Sequence, residues 1–370
     1  MKNQYINHSL ITLFLTCQAA ITLTGCSTES GTGTVTVSST TALQNLGEAL
    51  YFDENLSNPP GQSCASCHLP GAGFADPDSH FPTSEGVIAG RFGNRNSPTA
   101  SYAAFIPDFH FDAGSNQFVG GQFLDGRAAT LEEQAQGPFL NALEMNNASK
   151  AEVIDKVKSA AYASDFETVF GAGALDNVDS AYLQIAEAIA AFERTDTFSP
   201  FNSKFDAVQN GLAIFTLAEQ NGQNLFNGKA QCARCHSTPT GEQVFSNFSY
   251  RNIGTPANPN NPFLFLDASL NPDGTAFVDT GLGGVIGDAR SIGRFRVPTL
   301  RNINETAPYM HNGVFNTLEE VIVFYNRRDL DGITAEVNQN VNDAANIGEL
   351  GLTDAEIQDL IAFLQTLSDP

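Results

Sequence analysis

Cys-Ala-Ser-Cys-His at residues 64–68 and Cys-Ala-Arg-Cys-His at residues 232–236 are the two stretches that decide the fold of this 370-residue chain. Both follow the pattern Cys-x-x-Cys-His, in which two thiols form thioether bonds to a haem and the histidine becomes an axial ligand of its iron. The spacing suits this chemistry, because one turn of chain brings both sulfurs to the same edge of the porphyrin. The sequence therefore predicts two covalent haem c groups. The attachment residues are Cys64, Cys67, Cys232 and Cys235, and the iron ligands are His68 and His236.

The alternatives for these motifs are a zinc site or a redox dithiol. Zinc ribbons bring their cysteine pairs within about 15–20 residues of each other, whereas these two pairs lie in opposite halves of the chain. The chain has six cysteines. Cys17 falls in a predicted leader and Cys26 at its end, so no cysteine is left for a disulfide.

Residues 1–25 are predicted to be a lipoprotein signal peptide. The apolar run at residues 10–23 is too short to span a bilayer of roughly 30 Å as a helix. Leu-Thr-Gly-Cys at residues 23–26 is typical of a lipoprotein cleavage site, with Cys26 lipidated; the alternative is a plain secretory signal. The segment 26–41 is predicted to be a flexible tether. We therefore expect a protein on the periplasmic side that contacts the membrane only through its lipid, and Ser27 favours the outer membrane.

Composition excludes some classes of function. Lys+Arg number 18 and Asp+Glu 41, which gives a net charge of −23, so the chain could not neutralise the phosphates of a nucleic acid. With 42% hydrophobic and only 16% charged residues, the chain is predicted to fold rather than to be disordered. Its 32 glycines and 17 prolines predict long ordered loops.

The two halves repeat one another. Three pairs of segments match: Gly47–Phe52 with Gly222–Phe226, Gly126–Glu133 with Gly313–Glu320, and Ala191–Thr195 with Ala362–Thr366. The second pair contains Thr-x-x-Glu, a capping box that begins a helix in each half, and Thr353 begins another. We predict a mainly α fold of two cytochrome c-like haem domains related by internal duplication, with long irregular loops. The domains are expected at residues 42–205 and 206–370, with residues 252–294 as an irregular loop system.

With these motifs and repeats, the chain resembles the bacterial dihaem cytochrome c peroxidase family, which includes the MauG type. The resemblance rests on six segments: Arg95–Thr99, Asp125–Arg127, Glu133–Pro138, Glu144–Asn147, Pro298–Asn302 and Ala307–Gly313. It implies two cytochrome c-like domains that face one another. In this family peroxide is reduced at the first haem and electrons enter at the second.

The same resemblance implies the groups of the peroxide pocket. Glu144 would be the general acid and base, Gln134 would orient the peroxide, and Pro138 would shape the pocket. Many family members carry a histidine shortly before Arg-Asn-Ser-Pro, but this chain has none there, so we expect the resting first haem to be five-coordinate or water-bound. His80 and His110 are alternatives that would reach in from loops, although a structural or exposed role is favoured for both.

For the second haem, the resemblance implies Tyr325 as the far iron ligand, with Met310 or His311 as alternates. A tyrosinate would favour higher oxidation states, whereas methionine would raise the reduction potential. The chain has no tryptophan. Phe123 and Leu124 stand where the family usually places a tryptophan between the haems, so fast charge sharing is in doubt.

A calcium ion between the domains is also implied, with the side chain of Asn96 and the carbonyls of Thr306 and Pro308 as ligands. The function placed first is reduction of hydrogen peroxide to water, with a small cytochrome c or a cupredoxin as electron donor. The alternatives are a MauG-type oxidase that uses peroxide to modify residues of a partner protein, and a non-enzymatic electron-transfer cytochrome.

Overall fold

The computed structural model describes residues 39–238, 241–341 and 347–370. This part of the chain is mainly helical, as predicted. The α-helices are α1 (Ser39–Tyr51), α2 (Cys64–Cys67), α3 (Leu131–Leu140), α4 (Lys150–Ser159), α5 (Ala163–Phe170), α6 (Val178–Glu193), α7 (Lys204–Gln209), α8 (Leu217–Asn227), α9 (Leu282–Ile286), α10 (Leu318–Arg327) and α11 (Asp354–Gln365). The strands are β1 (His110–Asp112), β2 (Gln117–Val119), β3 (Tyr250–Arg251) and β4 (Phe295–Arg296). Short 3₁₀ turns include Cys232–Arg234 at the second haem motif.

A pair of crossed helices forms the frame of each half. Helix α1 packs on α6 in the first half, and α8 packs on α11 in the second. The crossing needs a glycine in both copies. A Cβ at Gly47 would collide with the carbonyl oxygen of Ala188, and a Cβ at Gly222 would collide with that of Asp359. The matched glycines therefore allow equivalent helix contacts in the two halves, as expected for an internal duplication.

Two large hydrophobic cores lie around these helix pairs. The first contains Leu50, Ile185 and other side chains of α1, α4 and α6, and the second contains Phe226, Phe363 and side chains of α8, α10 and α11. The buried residues of the first core end at Phe198 and those of the second begin at Phe205, although the described residues from Ser39 onward form one compact unit. The domain limits at residues 205 and 206 stay a prediction.

The predicted capping boxes stabilise helix starts. Thr317 accepts a hydrogen bond from the backbone of Glu320, whose carboxylate accepts one from Thr317 in return, and Thr353 begins α11 in the same way. In α3, Thr130 caps the helix as predicted. There the carboxylate of Glu133 accepts instead from the backbone N–H of Ala129, at 2.7 Å. These bonds satisfy N–H groups that a helix leaves unpaired at its start.

Each half contains one small antiparallel strand pair, and further hydrogen bonds connect the two pairs. Strand β1 pairs with β2, and β3 pairs with β4. An isolated bridge connects Val119 to Ser249, and the Tyr250 hydroxyl donates to the carbonyl of Gly120 at 2.6 Å. The segment 252–294 contains only α9 and three 3₁₀ turns, in agreement with the predicted irregular loop. In the part of the chain described here, no helix is long and apolar enough to cross a membrane.

Candidate haem sites and peroxide pocket

The first attachment site is a single short helix, α2, which begins and ends at its two cysteines. The backbone N–H of His68 donates to the carbonyl of Cys64 at 3.0 Å, so the histidine directly follows the turn. Its Nδ1 lies 3.2 Å from the carbonyl oxygen of Phe74. Burial lowers the pKa of His68 and keeps the ring neutral. A neutral ring that donates from Nδ1 presents Nε2 to iron, as metal-bound histidines do.

The second site repeats this geometry. The backbone N–H of His236 donates to the carbonyl of Cys232 at 2.9 Å, and its Nδ1 lies 3.1 Å from the carbonyl oxygen of Phe245. Burial lowers the pKa of His236 to about 4. The four cysteines of the motifs are free, and the described residues contain no cluster of three or more His, Cys, Asp or Glu that could hold a metal ion. The motifs therefore do not combine into a zinc site or a disulfide.

A cavity of about 280 Å³ lies at the second site. Cys232, Cys235 and His236 line it, together with apolar side chains such as Phe226 and Leu364. Arg296 also lines it; this side chain is 5% exposed, and its Nε has no hydrogen-bond partner among the described residues. Burial lowers the pKa of Arg296 to about 10. A buried guanidinium without an anion suits a haem propionate, so this cavity fits the group that the motif predicts.

The predicted far ligand, Tyr325, lies on α10 and lines the same cavity. Burial raises the pKa of its hydroxyl. That hydroxyl makes no hydrogen bond to the described part of the chain. Met310 and His311 line the cavity too. The His311 ring is already engaged, because its Nε2 lies 3.1 Å from a carboxylate oxygen of Glu336 and the ring stacks on Phe295 with 3.8 Å between ring centres. The geometry favours Tyr325 or Met310 over His311, and the choice of ligand stays a prediction.

Glu144 lies in the loop after α3, close to the first attachment site. Its charge contributes to raised pKa values at the thiols of Cys64 and Cys67, which is an effect of proximity. The Glu144 carboxylate accepts a hydrogen bond from the side chain of Asn141 at 2.6 Å. Burial raises the pKa of Glu144, and the Asn141 bond and the charge of Arg127 only partly offset this effect. A carboxyl group with a raised pKa is suited to proton transfer.

The two other predicted pocket residues belong to α3. The Pro138 carbonyl accepts hydrogen bonds from the backbone N–H groups of Asn141 and Met145, at 3.3 and 3.2 Å, so the end of α3 holds the Glu144 loop. Gln134 is half-buried, and its side chain makes no hydrogen bond within the described ranges. Its amide is therefore available to a ligand. The roles of Gln134, Pro138 and Glu144 stay predictions.

The two alternative histidines lie at the surface. The side chain of His80 is 91% exposed and pairs with Asp78 at 3.0 Å. His110 is exposed on β1, and its Nδ1 lies 2.7 Å from the carbonyl oxygen of Asp108. Both rings are exposed and have partners within their own loops, and the open position at the first haem stays a prediction.

Phe123 and Leu124 lie between α3 and the second cavity. The Phe123 ring packs against Gly137 of α3 and the guanidinium of Arg127, whereas Leu124 lines the cavity. Both have positive φ values, 65° and 63°, which cost about 1–3 kcal/mol each for side chains of this kind. Their carbonyls are held by Arg95 and by the backbone of Arg296, at 2.9 and 2.7 Å. The structure thus positions this apolar pair firmly.

The predicted calcium ligands border the second cavity. Asn96, Thr306 and Pro308 all line it. The amide nitrogen of Asn96 donates to the carbonyl of Pro82 at 3.2 Å, which turns its oxygen away from that contact. The carbonyls of Thr306 and Pro308 accept no hydrogen bond from the described residues. Each of the three positions thus has an oxygen without a donor among the described residues, and the calcium ion stays a prediction.

Sequence reasoning missed several buried charged groups. Arg95 forms ion pairs with Asp125 and Asp279, both at 2.6 Å, and so joins the loops of the two halves. Arg296 and Glu193 were also missed. Arg95 and Asp125 belonged to segments that carry the family resemblance, and Glu193 belonged to a repeated segment, but no spacing signal indicates that these groups or Arg296 are buried.

Comparisons with known proteins are consistent with this geometry. The profile of the family described as di-haem cytochrome c peroxidase matches residues 41–213, and the profile described as cytochrome c matches residues 219–368. Methylamine utilization protein MauG of Paracoccus denitrificans is 39% identical over 352 residues, which cover 89% of this chain and 89% of that protein. Cytochrome c551 peroxidase of Nitrosomonas europaea is 32% identical over 329 residues, with 88% and 80% covered.

The structure is also similar to the crystal structure of the diheme peroxidase BthA from Burkholderia thailandensis, with a TM-score of 0.80 and 32% sequence identity over 88% of this chain and 86% of that one. The chain therefore belongs to the di-haem cytochrome c peroxidase and MauG family. It is an oxidoreductase that acts on peroxide, built from two cytochrome c-like domains, and the family confirms the predicted haem c groups, two per chain. Cys26 lies outside the described residues.

Proposed function

We propose that this chain reduces hydrogen peroxide to water at the first haem, with electrons that enter through the second haem. The observation that carries the proposal is the position of Glu144, a carboxyl with a raised pKa beside the first attachment site. A protein that only carries electrons has no use for such a group. The proposal therefore disfavours a non-enzymatic dihaem cytochrome.

The proposed reaction consumes two electrons and two protons for each peroxide and yields two water molecules. Haem, when bound, supplies the iron that binds peroxide and the route for electrons. Glu144 takes the proton from the inner oxygen of peroxide and delivers it to the outer oxygen, so that the outer oxygen leaves as water when the O–O bond breaks. The free amide of Gln134 donates a hydrogen bond that orients the peroxide. Asn141 holds the carboxylate in place at 2.6 Å.

A MauG-type oxidase that modifies a partner protein is the second candidate. Two observations favour it: Tyr325 lines the second cavity, and the Paracoccus protein that shares 39% identity is named a MauG. An anionic tyrosinate would stabilise higher oxidation states of the second iron. The apolar pair Phe123 and Leu124 argues against it, because neither side chain carries charge well between the haems.

Stoichiometry separates the two candidates. The fully oxidised protein is mixed with hydrogen peroxide and a reduced small cytochrome c or cupredoxin, and donor oxidation is followed by absorbance. A peroxidase should oxidise two one-electron donors for each peroxide. If peroxide is consumed without donor oxidation while a periplasmic protein gains oxidised residues, the MauG-type function replaces the peroxidase proposal.

We also propose a calcium ion held by the side-chain oxygen of Asn96 and the carbonyls of Thr306 and Pro308, with water completing its coordination. A ligand that binds the folded protein raises its melting temperature. Dialysis against a calcium chelator should therefore lower the melting temperature, and added Ca²⁺ should restore it while Mg²⁺ should not. An identical melting curve after chelation would contradict calcium binding at this site.

For the leader, the proposal is export and anchoring through a lipid on Cys26, on the periplasmic side and in the outer membrane. Ser27, which follows the cysteine, supports outer-membrane retention. Cys26→Ser should move the protein from the membrane fraction to the soluble periplasmic fraction. Continued membrane association of this variant would contradict a lipid anchor.

A further inference from the structure

Glu193, the last residue of α6, is a buried carboxyl that the proposed reaction does not use. The residue is 6% exposed, and its Oε2 has no hydrogen-bond partner among the described residues. The adjacent cation, Arg194, is already paired at the surface with Glu132 at 2.6 Å. A buried carboxyl without a partner is costly, so this position suits a group that the polypeptide itself does not supply.

Glu193 lies beside the first haem site. Its charge contributes to the raised pKa values of Tyr51 and Cys64, which places the carboxyl near the attachment cysteine. The Tyr51 hydroxyl in turn donates to the carbonyl of His68 at 2.9 Å. Two polar side chains, one from α1 and one from α6, thus approach the haem motif from the same crossed helix pair.

The second half of the duplication indicates which way the side chain of Glu193 faces. In the matched segments, Glu193 corresponds to Leu364 and Tyr51 corresponds to Phe226. Both Leu364 and Phe226 line the second haem cavity. The helix pairs of the two halves cross at equivalent glycines, so the equivalent side chains point toward equivalent places. By this correspondence, the first haem would meet a carboxyl and a phenol where the second would meet two apolar side chains.

We propose that Glu193 is a positioning residue for the first haem that couples its reduction to a proton: the carboxyl is ionised beside the ferric haem and takes up one proton when the haem accepts one electron. The step is balanced, since the electron goes to the iron and the proton, from solvent, goes to a carboxylate oxygen. Its physical cause is Coulombic, because the ferric haem carries one more positive charge than the ferrous haem at close range. The second haem lacks this coupling at its equivalent position.

Two buried carboxyls, Glu193 and Glu144, lie near Cys64. Glu144 is held by Asn141 and belongs to the proposed peroxide chemistry, whereas the charges that act on Glu193 are those of Arg194 and Glu132. Burial raises the pKa of Glu193 to about 8. Burial also raises the pKa of Tyr51 far above this range, and Cys64 loses its titrating proton when it forms a thioether. Arg194 pairs with Glu132, whose pKa is lowered by that ion pair despite partial burial.

A redox titration of the holoprotein tests the proposal, and it needs no peroxide, so it is independent of the proposed catalytic function. The midpoint potential of each haem is measured by spectroscopy between pH 6 and 9. In the wild type, the first haem's potential should fall as pH rises, by up to about 59 mV for each tenfold change in proton concentration. Glu193→Gln should flatten this dependence and leave the second haem unchanged. Glu187→Gln, on the exposed face of the same helix, is the matched control.

The proposal would be overturned if the potential of the first haem depended on pH in Glu193→Gln as strongly as in the wild type. It would also be overturned if the variant lost the pH dependence equally at both haems. If Glu193→Gln does not retain haem, the reciprocal variant Leu364→Glu decides. It should give the second haem a pH-dependent potential that the wild type lacks at that haem. A second haem whose potential is unchanged in the folded Leu364→Glu protein would also refute the inference.

Discussion

Replacing Glu144 by Gln tests the proposed peroxide chemistry most directly. The substitution keeps the shape of the side chain, and the amide oxygen still accepts the 2.6 Å hydrogen bond from Asn141, so the loop should keep its conformation. What is lost is a group that can accept a proton. The variant should therefore retain both haem spectra while its reaction with peroxide slows.

The size of the effect follows from the role assigned to the carboxyl. General acid–base groups contribute about 10²–10⁴-fold, which corresponds to about 3–5 kcal/mol of activation free energy. Because burial raises the pKa of Glu144, the reactive carboxylate is lost at a higher pH than for an exposed glutamate. The wild-type rate should accordingly fall as pH is lowered through that raised pKa, and this part of the profile should disappear in the variant.

The assay is stopped-flow mixing of the oxidised protein with peroxide, followed at the haem absorbance over a range of pH. Glu187→Gln serves as the control, because this exposed carboxyl lies away from the pocket and should leave the rate unchanged. A Glu144→Gln protein that reacts at the wild-type rate with the wild-type pH profile would refute the assignment. The proton would then have to be moved by another group.

Three further predictions concern the cofactors and the fold. Mass spectrometry of the denatured protein should show the polypeptide plus two haems, and a single haem would contradict the use of both motifs. Tyr325→Phe should open the second iron to small ligands such as cyanide, with a changed electron paramagnetic resonance spectrum, whereas Met310→Leu should change little; the opposite result would assign the ligand to methionine. Asp206→Ala should lower the free energy of unfolding by about 3–5 kcal/mol, since it leaves the fully buried Arg301 without its 2.6 Å ion pair. Chemical denaturation measures this loss, and an unchanged midpoint would show that the pair is not needed.

Helix starts and the haem motifs are predictable because they depend on neighbours in the chain. Thr317 and Thr353 cap helices through contacts with glutamates three residues later, and a local pattern of this kind is visible without any tertiary information. The match between Gly47 and Gly222 likewise indicated a duplication before their shared role at a helix crossing was known.

Contacts between residues that are far apart in the sequence were harder to predict. The ion pairs of Arg95 join it to Asp279, and the orphaned guanidinium of Arg296 has no local signature at all. Such groups are brought together by loop paths that depend on many weak contacts at once. The sequence analysis favoured an exposed or structural role for His80 and His110. The structure shows both side chains at the surface.

By itself, the sequence of this protein predicts where haem is attached, which histidines bind the iron, and that two similar helical halves follow one another, because these properties rest on covalent spacing and short-range hydrogen bonds. The family resemblance predicted Glu144 at the first haem and Tyr325 at the second, but only the tertiary structure shows that burial raises the pKa of Glu144 and that Glu193 is buried without a partner among the described residues. Burial and the electrostatic surroundings of a side chain are set by segments far away in the chain. A carboxyl group therefore acquires its raised pKa, and with it its chemistry, only when the whole fold has closed around it.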